Sequence, residues 1–63
     1  MKGFIEVTNE RGHRIIINLS SVTDFLELNG EMYVGFITNK EDFTGLKESY
    51  EQIKELIKQA TEL

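Results

Sequence analysis

The chain has 63 residues, no cysteine and a single histidine, which excludes disulfides, cysteine-based zinc sites and a zinc site built on histidines. Eleven acidic residues against seven basic ones leave a net charge of −4, a balance that argues against a surface made to release counterions from nucleic-acid phosphates. A single domain of about 60 residues buries only ~60% of its unfolded surface, so close packing or self-association must supply what no covalent or metal staple does.

Residues Gly3 to Thr8 read as a first strand, with Ile5 and Val7 on one face and Phe4, Glu6 and Thr8 on the other. Asn9-Glu10-Arg11-Gly12 is a turn cluster, and Gly12 can take positive φ there. A second strand follows over about His13 to Leu19, because three consecutive isoleucines, Ile15 to Ile17, suit a sheet far better than a helix. The stretch Leu19 to Asp24 breaks the pattern, and the spacing of Ser21 and Asp24 allows one helical or 3₁₀ turn. Phe25 to Leu28 reads as a third strand that could begin at Val22. Asn29-Gly30 predicts a two-residue type I′ turn, since both positions of that turn need positive φ. It leads into a fourth strand, Glu31 to Ile37, with Met32, Val34 and Phe36 on one face.

Thr38 to Asp42 reads as a polar loop, and Phe43 to Leu46 as a short fifth strand weakened by Gly45. Ser49 is the expected N-cap of a helix, with Gln52 completing a capping box. Tyr50, Ile53, Leu56, Ile57 and Ala60 recur at helical spacing and form one apolar stripe; Glu51, Lys54, Glu55, Lys58 and Gln59 lie opposite. The expected fold is one α+β domain over residues 1–63. An antiparallel meander of four to five strands, or the same meander curled into a half-barrel, carries the C-terminal helix packed across it.

Chemistry finds little purchase in this pattern. His13 sits just past a turn glycine and reads as an exposed hairpin residue, and no nucleophile-elbow, zincin or P-loop motif occurs. Glu41-Asp42 is the obvious carboxylate pair, but it lies in a polar loop beside Lys40. Asn39, Glu41 and Asp42 offer oxygen ligands in an order that is not that of a calcium loop. No catalytic residue, metal site or cofactor is therefore expected. Aromatic residues are spread over the strands, as on a single-strand-binding surface, yet their neighbours are Glu6, Asp24, Glu27 and Glu31. Lys2, Arg11 and Arg14, near the first hairpin, are the candidates for phosphate contact.

The second face of the sheet is more informative. With Ile5, Val7, Ile15, Ile17, Leu26, Leu28, Val34 and Phe36 turned to the helix, Phe4, Ile16, Phe25 and Tyr33 point away from it. A water-facing sheet surface should be polar, so an apolar residue on each of four strands reads as an interface or as a sheet curled over its own second face. Phe4, Ile16, Phe25 and Tyr33 are thus the candidate interaction surface, and strand edges offer a second route by β-augmentation. No apolar run follows Met1-Lys2-Gly3-Phe4-Ile5 as a secretory signal would require, and no stretch nears the ~20 apolar residues of a membrane span. A cytoplasmic protein without membrane contact is expected.

The run Phe4-Ile5-Glu6-Val7-Thr8, the Gly12 turn, Ile15-Ile16-Ile17-Asn18 and the helix opening Leu46-Lys47-Glu48-Ser49 resemble the small FlbD-like bacterial proteins; Lys47 to Ile57 is similar to the final helix of short uncharacterised bacterial proteins of the same outline, and Glu31 to Thr44 matches least. The family is linked by name to flagella and swarming motility, so the resemblance implies a bacterial source and a motility-linked or regulatory role, and it carries over no site residues. Taken with the residues themselves, the expectation is a non-enzymatic interaction or structural module that forms a homodimer or binds another protein. The alternative is a regulatory protein with weak nucleic-acid contact through Lys2, Arg11 and Arg14.

Overall fold

The structure is a computed structural model and describes residues 2–61, without the side chain of Lys40. Its elements are β1 (Phe4–Thr8), β2 (Arg14–Asn18), a 3₁₀ turn (Leu19–Ser21), β3 (Val22–Leu28), β4 (Glu31–Phe36), β5 (Asn39–Leu46) and α1 (Tyr50–Thr61). Strands come first and the helix last, as the pattern of periods predicts, and the fold is α+β.

The strands form two sheets rather than one meander: β1 pairs with β2, and β3, β4 and β5 pair in that order, all antiparallel. The sheets meet where the end of β1 runs beside the end of β5. Asn9 bridges Leu46, the Lys47 N–H donates to the Thr8 carbonyl at 2.8 Å, and the Glu10 N–H donates to the Gly45 carbonyl at 3.1 Å. The described strands do not close into a barrel.

Each turn has a local cause. In the first hairpin the Asn9 side chain accepts from the N–H groups of Arg11 and His13, both at 3.0 Å, and Gly12 takes φ 84°. Asn29 and Gly30 both adopt positive φ, 54° and 81°, as a type I′ turn requires. The single turn after β2 is capped by Asn18, which accepts from the Ser20 N–H at 3.0 Å. It starts two residues before the expected Ser21–Asp24 box, because Asn18 reaches the free N–H first. The polar segment expected as a loop from Thr38 to Asp42 belongs largely to β5, which begins at Asn39; the register slips after Gly35, and residues 40–42 have no ladder partner on β4.

The core lies where the inner faces of both sheets meet α1: Ile5, Val7, Ile17, Met32, Val34, Leu46, Ile53 and Ala60 are buried. The helix is fixed at both ends. Its capping box is complete, with the Gln52 N–H donating to Ser49 Oγ and the Ser49 N–H donating to Gln52 Oε1. At the far end the N–H of Gly3, just before β1, donates to the Ala60 carbonyl at 3.0 Å, satisfying one of the last-turn carbonyls. Tyr50, on the expected stripe, is instead exposed, with the Lys54 ammonium 5.6 Å from its ring centre.

One expectation about faces is overturned. Phe25 points inward and packs against the core, whereas Leu26 and Leu28 point outward and are 38% and 54% exposed. The reason is the register imposed by the two-residue turn. It pairs Leu28 with Glu31, Leu26 with Tyr33 and Phe25 with Val34, and residues paired across an antiparallel ladder share a face. Since Val34 is fully buried, Phe25 must follow it inward.

Candidate functional site

The face of the β3–β4–β5 sheet turned away from the core is built by this register. Leu28 stands beside Glu31, Leu26 beside Tyr33 and Gly45, and Asp24 beside Gly35 and Phe43. Leu26, Leu28 and Phe43 are exposed there, and Tyr33 is half-buried. The two glycines flatten the centre of this face. A Cβ on Gly35 would lie 2.8 Å from the Phe43 ring and 3.0 Å from both Asp24 Oδ1 and Thr23 Oγ1, and one on Gly45 would lie 2.8 Å from Glu10 Oε2. The side chains lean over the backbone where other residues would have their own.

Beside this face lies an open cleft of about 370 Å³, walled by Glu10, Glu31, Tyr33, Lys47 and Glu48. The Tyr33 hydroxyl donates to Glu31 Oε2 at 2.7 Å. That bond, together with the charges of Glu31 and Glu10, raises the tyrosine pKa above its usual 10.0, so the phenol remains a proton-bearing donor at neutral pH. Glu48 is pinned: both its oxygens accept from the Thr8 N–H, at 2.8 and 2.9 Å. Thr8 turns its N–H and carbonyl away from β2, and the Glu48 carboxylate closes the ladder between β1 and the segment leading to α1. This role of Glu48 has no local signal in the sequence, because its contact lies 40 positions away in the chain.

The four residues of the expected interaction surface do not come together. Tyr33 lies on the outward face just described. Phe4 and Ile16 are 41% and 59% exposed on the outer face of the β1–β2 hairpin, on one side of an ion pair between Arg14 and Glu6 at 2.7 Å. Phe25 is half-buried on the inner face, packed against the core. Leu26, Leu28 and Phe43 take its place on the outside, and the Asn-Gly turn was the signal that could have found the first two.

The other residues weighed for chemistry are scattered. His13, Glu41 and Asp42 are exposed, and among the described residues no group of three or more His, Asp or Glu side chains is placed to hold a metal ion. Of the three candidate phosphate contacts, Lys2 and Arg11 are exposed, and Arg14 is engaged by Glu6. No described helix is long and apolar enough to cross a membrane. Comparison with family models, with curated proteins and with solved structures finds no match to this chain.

Proposed function

We propose that this chain is a non-enzymatic protein-interaction module, docking a protein partner or a second copy of itself through the outer face of the β3–β4–β5 sheet. The observation that supports this reading is the outward row of Leu26, Leu28 and Phe43, flattened around Tyr33 by two glycines, on a domain whose core is filled by other side chains. Large apolar groups grouped on one sheet face contribute little to folding and remain available for burial on contact. A nucleic-acid role through Lys2, Arg11 and Arg14 has weaker support, because one of the three cations is already paired.

The test combines mass in solution with recovery from the native host. The wild-type protein should either dimerise with rising concentration or co-purify with one protein in fixed stoichiometry. The double variant Leu26→Ser, Leu28→Ser should lose that association while keeping its urea-unfolding midpoint. A wild-type monomer at all concentrations that co-purifies with no protein would end the proposal. Steep loss of binding to a nucleic acid between low and moderate salt would favour the alternative.

A further inference from the structure

The outer face has a free margin and a charge of its own. Strand β3 is the last in its sheet, and no described residue pairs with its other side. Alternate residues along its length therefore offer backbone N–H and carbonyl groups to a further strand. Residues 20–39, which contain the whole β3–β4 hairpin, carry Asp24, Glu27 and Glu31 and no lysine, arginine or histidine, so three of the four net negative charges sit on this one hairpin. On the outer face Asp24 lies along β3 beyond Leu26, and Glu31 stands across the ladder from Leu28 on β4; Glu27 points the opposite way from β3. All three are exposed.

Taking the docking function above as given, we propose that the β3 edge receives an extended segment of another protein in which apolar and basic side chains alternate. Added as a sixth strand, such a segment would set its apolar side chains beside Leu26 and Leu28 on the outer face. Its Lys or Arg side chains would fall on the side of Glu27, and one further cation, in place of the apolar residue at that end, would meet Asp24 on the outer face. Alternation along a strand has a period of two, so one register satisfies both faces at once. A second copy of this chain fits the same edge poorly. Pairing β3 with β3 would bring a second set of the same three carboxylates to this margin, with no cation on either hairpin to offset them.

The experiment titrates the isotopically labelled full chain with a leucine–lysine alternating peptide matched to the length of β3 and carrying one lysine in place of leucine at the Asp24 end, and with its leucine–glutamate counterpart, following amide shifts by NMR. The lysine peptide should move the signals of β3 and its outer-face neighbours and slow amide exchange along β3; the glutamate peptide should not. Asp24→Asn combined with Glu27→Gln should weaken binding about tenfold, the loss expected for two partly exposed charge contacts. Glu51→Gln combined with Glu55→Gln removes the same charge from the helix and should leave binding within about twofold. Equal loss in both pairs, shifts centred elsewhere, or equal binding of the two peptides would overturn the proposal. A wild-type dimer broken by Leu28→Ser would overturn the basic partner while leaving the docking function standing. No peptide binding, a monomer and no stoichiometric partner from the host would remove both.

Discussion

Ile53 and Leu28 are isomeric side chains at opposite extremes of exposure, and replacing each with alanine measures what the fold uses. Ile53 is 2% exposed at the centre of the contact between α1 and the sheets; Leu28 is 54% exposed at the outer end of β3. Each substitution removes the same three carbons. At about 0.8 kcal/mol per buried methylene, Ile53→Ala forfeits roughly 2.4 kcal/mol of transfer free energy, and the cavity left behind brings the total to about 3–5 kcal/mol. Typical stability of about 0.05–0.15 kcal/mol per residue gives this 63-residue chain roughly 3–9 kcal/mol in all. Ile53→Ala should therefore remove from about a third to all of the stability at 25 °C. Leu28→Ala, already half in water, should cost less than about 1 kcal/mol. Urea titrations followed by far-ultraviolet circular dichroism compare the two, with the slope checked to confirm that only stability has changed. Equal losses in both variants, or a loss below about 1 kcal/mol for Ile53→Ala, would refute the division between core and docking face.

Three further outcomes follow from the geometry. Tyr33 should titrate above its ordinary pKa in the folded chain, followed by phenolate absorbance, and Glu31→Gln should lower the midpoint; because the folded pKa is the raised one, this tyrosine's contribution to stability is complete below pH 10 and lost as pH climbs through the folded midpoint. Gly30→Ala should destabilise the fold by about 1–2 kcal/mol in urea titrations although the position faces open space, since its φ of 81° is strained for any L side chain. Glu48→Ala should cost about 1–3 kcal/mol by the same assay, with faster exchange of the Thr8 amide, and Glu48→Gln should recover part of that loss.

Much of the fold is legible in the sequence where a local rule has no competitor. The capping box of Ser49 and Gln52, the Asn29-Gly30 turn and the period-two runs around Ile5 and Ile15 place the helix, the second hairpin and the first. The facing of β3 was equally legible, but only by combining two signals: the turn fixes which residues pair, and the buried partner Val34 then fixes which side Phe25 takes. Alternation read on Phe25 to Leu28 alone gives no phase, because three of those four residues are apolar. The split into two sheets and the role of Glu48 were not legible. Both depend on β1 meeting β5 across most of the chain, a contact with no periodicity or short motif to announce it. For the candidate site, Tyr33, Phe4 and Ile16 were identified as outward, whereas the concentration of negative charge on one hairpin gains meaning only once β3 is seen to be an edge.

The docking role depends on which leucines meet water. Measuring solvent-induced paramagnetic relaxation of methyl groups, with a soluble neutral probe, reads this directly. Leu26 and Leu28 methyls should relax strongly and Val34 and Ile53 methyls hardly at all. Protection of Leu26 and Leu28 to the level of Val34 in the dilute protein would contradict it, since the face assigned to docking would then belong to the core.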